Sequence, residues 1–259
     1  METVENRQKL CYTVLTILKG GCAMNIAGLQ KMTLLDYPGR VACTVFLAGC
    51  NFRCPFCHNS DLLTGNAPAY MTDSELLSFL ASRRGLLDGV CITGGEPTLQ
   101  PQLPQLLKQI KTLGYAIKLD TNGAKPAVLK ALVEEKLVDY VAMDIKNSRE
   151  QYPNTAGISD ALLPGIEESI RFLLSGKVGY ELRTTVVKEL HTAQDIENMG
   201  AWVKNLGDGK LPEKWFLQSY VHRDSVLQSD LHAPEKENLT KYAQILKPFV
   251  TFVDLRGVD

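Results

Sequence analysis

From Arg40 onward, short apolar runs of strand length alternate with segments of helical periodicity, and this alternation constrains the fold more than any other feature. Residues 41–48, 89–93, 116–120, 140–145, 180–187, 215–220 and 249–255 read as strands, being short and rich in Val, Ile and Phe. Residues 72–84, 102–113, 126–135, 163–174, 193–206 and 234–246 read as the helices between them. Thr72 stands ahead of Asp73 and Glu75 like an N-cap before an acidic first turn, and Gly114 is placed to end its helix. A β-α alternation gives mainly parallel strands joined by right-handed crossovers. Six or seven units fall short of the eight that close a full barrel. The expected fold is therefore α/β: a partial, laterally open (β/α)6-type barrel with mainly parallel strands, in one domain.

The chemistry-bearing residues fall where those strands end. Cys50, Cys54 and Cys57 follow the first, and Thr93-Gly94-Gly95-Glu96-Pro97 follows the second. Asp120-Thr121-Asn122-Gly123 closes the third, and Asp144-Ile145-Lys146 the fourth. In barrel-like α/β folds the carboxyl ends of the strands carry the active face. Four motifs should meet on one rim.

Seven cysteines are an odd number, and three of them crowd into eight residues, which favours metal binding in a reducing cytoplasm over a disulfide framework. Three thiolates spaced Cys50-x3-Cys54-x2-Cys57 on a 4Fe–4S cube leave one iron open to chelate the amino and carboxylate groups of S-adenosylmethionine (SAM). Other readings stand beside this one. His58 could complete a Cys3His zinc site, and Cys54-Pro-Phe-Cys57-His58 matches a c-type haem attachment pattern. The thiols could also be plain buried side chains, as Cys43 and Cys91 are expected to be among apolar neighbours. Two glycines after a strand allow close approach of backbone to a ligand, or simply an ordinary strand-to-helix turn.

With 28 basic and 29 acidic residues and no basic tract, the chain has no nucleic-acid footprint. No apolar run approaches the roughly 20 residues of a membrane span. A soluble, cytoplasmic protein is expected. Residues 1–23 look foreign to the rest. Lys19-Gly20-Gly21 is what a purine-rich ribosome-binding site encodes in frame, so Met24 is the expected natural start, with 1–23 an upstream extension and 24–259 the domain.

The cysteine loop, with Phe56 ahead of its last cysteine, together with Gly94-Gly95-Glu96-Pro97, resembles the radical SAM superfamily. Within it, the stretch from Leu34-Leu35-Asp36-Tyr37-Pro38-Gly39 through Cys57-His58-Asn59 resembles glycyl-radical-enzyme activating proteins, above all those of anaerobic ribonucleoside-triphosphate reductase. The resemblance implies a 4Fe–4S cluster on Cys50, Cys54 and Cys57, Phe56 beside the adenine of SAM, and Gly94, Gly95 and Glu96 around its amine. It also implies Asp120, Asp144, Lys146 and Arg183 near the rest of SAM, with a monovalent cation held by Asp120, Thr121 and Asp144. Two local alternatives remain: Asp120 and Asn122 could cap the next helix, and Arg183 could be a solvated or core-paired strand residue. The histidines show no metal spacing; His191, His222 and His232 are expected on the surface or in the polar core.

The activity that the resemblance implies is reductive cleavage of SAM with an electron from flavodoxin or ferredoxin, followed by hydrogen abstraction from a glycine of a partner glycyl-radical enzyme, with anaerobic ribonucleotide reductase the expected partner. Two features agree: no cysteine follows Cys91 to hold a second cluster, and an incomplete barrel leaves a side opening for a peptide loop. A small-molecule enzyme such as a 7-carboxy-7-deazaguanine synthase, or a non-catalytic zinc protein, remains the alternative.

Overall fold

The computed structural model describes residues 24–257, so the expectation about residues 1–23 lies outside the described part. Its strands are β1 (Ile26–Thr33), β2 (Ala42–Leu47), β3 (Gly89–Gly94), β4 (Ala116–Thr121), β5 (Tyr140–Asp144), β6 (Gly179–Val186), β7 (Lys214–Ser219) and β8 (Phe252–Arg256). They form one eight-stranded sheet in sequential order, with β1 and β8 at its two ends. β1 pairs antiparallel to β2, and every later neighbour pair is parallel. The open, mainly parallel α/β architecture expected from the sequence is the one formed.

The helices are α1 (Asp73–Ser82), α2 (Leu103–Thr112), α3 (Pro126–Glu134), α4 (Tyr152–Ala156), α5 (Leu163–Leu174), α6 (Ala193–Leu206) and α7 (Lys236–Leu246). α1 starts as expected: Thr72 accepts from the Glu75 N–H while the Glu75 side chain accepts from the Thr72 N–H, which closes a capping box. The strands divide their side chains by period two. Cys43, Val45 and Leu47, Val90 and Ile92, Ile117 and Leu119, and Val141 and Met143 join the apolar core. Leu76, Leu106, Ile110, Leu132, Ile166 and Ile196 from the helices pack into that core. Burying a side chain of this size contributes about 1.5–3 kcal/mol, which fixes the helix layer on the sheet. The alternate strand positions face inward, and among them Lys118, Asp120, Asp144, Glu181 and Arg183 are charged. Among the described residues, no helix is long and apolar enough to cross a membrane.

Three elements differ from the sequence reading. β1 was not anticipated: its burial runs without alternation, and its register slips twice against β2, so no periodic pattern marks it. Its order comes from ladder hydrogen bonds at a sheet edge. The last strand begins at Phe252 rather than at 249, because Lys247–Phe249 forms a tight turn that continues α7. α4 is too short for a periodicity to reveal it.

Candidate active site

Beyond Leu47 the chain turns away from the sheet and forms the cysteine loop. The Cys57 N–H donates to the Cys54 carbonyl (3.1 Å), which curls the last two cysteines toward one side. Two anchors fix the loop. Gly49 and Cys50 donate to the carbonyls of Leu62 and Leu63 (2.6 and 3.2 Å), and Arg53 donates to the Ala156 carbonyl at the end of α4 (3.0 Å). The short helix missed in the sequence is thus a support for the loop. Gly157, with φ of +61°, ends α4 so close to the loop that a Cβ there would lie 2.5 Å from the Arg53 carbonyl oxygen. The Arg53 guanidinium in turn donates to the carbonyls of Cys50 and Phe52, both at 2.7 Å. Burial pushes the Cys54 thiol up to about 12, with Lys146 opposing it, and burial raises Cys50 and Cys57 as well.

The turn Gly94-Gly95-Glu96 presses against that loop. A Cβ on Gly94, whose φ is +120°, would fall 2.3 Å from the main-chain N and O of Leu47. One on Gly95 would fall 2.1 Å from the Gly49 oxygen. The glycines therefore serve first to join β3 to the cysteine loop, and the Glu96 N–H completes the join on the Gly49 carbonyl (2.7 Å). The Glu96 side chain is 1% exposed. Its Oε1 accepts from the Thr98 N–H and hydroxyl and from the Thr121 hydroxyl (3.0, 2.5 and 2.8 Å), and its Oε2 from the Asn122 N–H (2.7 Å). This carboxylate ties the end of β3 to the end of β4. Burial raises its pKa, and the four donors work against that rise.

Asp120 and Asp144 carry the charge of the site. Arg183, crossing from β6, donates to Asp120 Oδ2 (3.0 Å) and to Asp144 Oδ1 (2.9 Å). The Lys118 ammonium pairs with Asp120 Oδ1, and that of Lys146 with Asp144 Oδ2 (2.9 Å). Burial alone would raise both carboxyls; Arg183 and the two lysines outweigh it and hold both below the ordinary carboxylate range. Neither Asp120 nor Asn122 caps the next helix. Asn122 Oδ1 instead accepts from the Ala124 N–H (3.0 Å), and α3 opens at Pro126 with no side-chain cap. Arg183 is paired, and it faces the cavity as well.

One cavity of about 550 Å³ gathers every residue singled out from the sequence: Cys50, Cys54, Cys57, Phe56, Gly94, Gly95, Glu96, Asp120, Thr121, Asp144, Lys146 and Arg183. Phe56 is buried, with the Lys146 ammonium 5.9 Å from its ring centre. Sequence reasoning missed Gln30 and Asp36 on one side of the cavity and Gln218, Ser219 and Arg223 on the other. It also missed Lys118, whose signal was present: a charged residue mid-strand, two positions before Asp120 and hence on the same face. Cys43 lies in the apolar core as expected. Cys91 does not have the apolar surroundings its sequence neighbours suggested, because it points inward, 3.9 Å from the Lys118 ammonium and 3.7 Å from Asp120 Oδ1. His191 is a polar-core residue, and His232 is exposed beside Glu189. His58 turns its Nε2 to the Val221 carbonyl (2.6 Å).

A family model of the radical SAM superfamily matches residues 44–194. The chain belongs to that superfamily. A candidate glycyl-radical enzyme activating enzyme of Methanocaldococcus jannaschii is 28% identical over 243 residues, which cover 90% of this chain and 96% of that protein. A pyruvate formate-lyase-activating enzyme of Clostridium pasteurianum is 35% identical over 127 residues, 47% of this chain and 52% of the relative. In solved structures, a domain of a pyruvate-formate lyase-activating enzyme from Bacteroides vulgatus superposes with a TM-score of 0.53 at 20% identity, covering 65% of this chain and 99% of that domain. A radical SAM protein carries a 4Fe–4S cluster and SAM, and the residues present fit both. Cys50, Cys54 and Cys57 all line the one cavity, which fits a cluster held by three thiolates. His58 is engaged elsewhere, and Cys50, idle in a haem attachment, faces the same cavity as its two neighbours. The cavity is within the range that holds a ligand of SAM's size. Its lining offers both signs of charge to a zwitterion.

Proposed function

We propose that this radical SAM enzyme activates a glycyl-radical enzyme by taking a hydrogen atom from a backbone glycine, its target being an anaerobic ribonucleotide reductase. The observation that carries this reading is a polar cavity at the carboxyl ends of the strands of an unclosed sheet, a rim that a loop of another protein could enter. The match to the Methanocaldococcus jannaschii protein along nearly the whole chain supports it. Cys50, Cys54 and Cys57 would hold the cluster. When bound, cluster and SAM together supply a carbon-centred radical able to take hydrogen from carbon.

The chain's own residues position and shield. The main chain of Gly94 and Gly95 and the negative charge of Glu96 would receive the SAM ammonium. Lys146 and Arg183, fixed on their carboxylates, would present positive charge to its carboxylate. Phe56 would lie against the adenine. Flavodoxin or ferredoxin in the cytoplasm would supply the electron.

The test is anaerobic reconstitution followed by assay with the reductase. With reductant alone, SAM cleavage should be slow; with the partner it should speed up and leave a persistent glycine-type doublet in electron paramagnetic resonance. The doublet's splitting should change when the partner glycine carries deuterium at its α-carbon. SAM consumed in step with a soluble product, with no radical left on any protein, would reassign the enzyme to small-molecule chemistry. Cys54→Ser should abolish cleavage in a protein that still folds.

A further inference from the structure

Lys118 has no part in the function proposed above, yet it is a charged side chain only 1% exposed in the middle of β4. A buried ammonium persists only when an anion answers it. Here the anion is Asp120, two positions along the same strand and on the same inward face. The register places Ala142 directly beside Asp120 and Glu181 beyond it, so a small side chain lies where Arg183 crosses from β6 to reach Asp120.

The consequence concerns the monovalent cation that the family resemblance implies at Asp120, Thr121 and Asp144. Each carboxylate oxygen of the two aspartates already has a positive partner: Lys118 and Arg183 on Asp120, Arg183 and Lys146 on Asp144. The Thr121 hydroxyl donates to Glu96 and accepts from the Gly123 N–H (2.8 and 3.1 Å). An alkali ion brought here would have to displace one of these ion pairs, since no oxygen of either aspartate is left to it.

We propose that Lys118 is a tethered replacement for the alkali cation, so that SAM binds to this protein without potassium or sodium. The proposal rests on the SAM site described above. The experiment is calorimetric titration of SAM into the cluster-loaded protein in potassium, sodium and tetramethylammonium chloride at equal ionic strength; the last ion is too large to be coordinated. The unaltered protein should bind SAM with affinities equal to within about twofold in all three salts. Lys118→Met should bind about tenfold or more weakly in tetramethylammonium and recover, saturably, on addition of potassium or sodium. A gain of about tenfold for the unaltered protein on adding potassium would overturn the proposal. So would a Lys118→Met protein that binds normally without alkali ions, or one whose loss no alkali ion restores. If Lys118→Met does not fold, the three-salt comparison on the unaltered protein still decides. Absence of SAM binding in every salt would instead overturn the SAM site itself, and this proposal with it.

Discussion

His191 is held neutral by the groups around it. The Val187 N–H donates to its Nδ1 (3.1 Å), which leaves the proton on Nε2 to donate to the Lys146 carbonyl (2.8 Å). Through that bond a core residue fixes the backbone of a cavity lysine. Burial lowers its pKa, and the hydrogen bonds to the backbone of Lys146 and Val187 only partly oppose that. The unfolded chain therefore takes up a proton near pH 6.5 that the folded protein refuses until lower pH. The stability this residue gives is complete above about pH 6.5 and is lost as the pH falls through the depressed folded value. Denaturant midpoints should fall below that pH, with a slope from this residue of at most about 1.4 kcal/mol per unit. His191→Gln should remove the slope. If it survives that change, the titrating group is His58, whose pKa burial also lowers.

The cysteine loop depends on an element with no chemistry of its own. α4 offers the Ala156 carbonyl to the Arg53 N–H and, at 3.6 Å, to the Cys54 thiol, and Tyr152 seats the helix by donating to the Asp144 carbonyl (3.2 Å). Gly157→Ala would force a side chain into a left-handed conformation and against the Arg53 carbonyl, moving the segment that carries Cys54. The expected cost is about 1–3 kcal/mol of stability, with a fall in iron bound per chain after reconstitution. Gly176→Ala is the control, since φ there is +76° but nothing lies within 4 Å of the new Cβ. It should lose stability and keep its iron. Equal iron in the two variants would show that α4 does not hold the loop. The sequence could not disclose this support, because a five-residue helix has too few positions for a pattern, while the six longer helices were each legible from their apolar stripes.

Across the whole molecule, the sheet is ordered unequally because it does not close. β3, β4 and β5 have buried ladders with neighbours on both sides, whereas β1 carries two register slips and β8 is largely half-exposed or exposed. Amide hydrogen exchange should be slowest in β3 to β5 and fastest in β1 and β8, the strands that border the opening. Faster exchange in β4 than in β8 would contradict that order. The parallel sheet, its helix layer and the residues gathered on one rim were determined by the sequence itself, since period-two and helical patterns and the Cys50-x3-Cys54-x2-Cys57 spacing are local properties of the chain. Which charge answers which was decided only by the tertiary structure. Arg183 meets Asp120 across 63 positions and Cys54 meets Ala156 across 102, and Gly94 and Gly95 are required by the backbone of Leu47 and Gly49. Ion pairs and close contacts depend on separations of a few ångströms between distant segments, and packing sets those separations only once the sheet has formed.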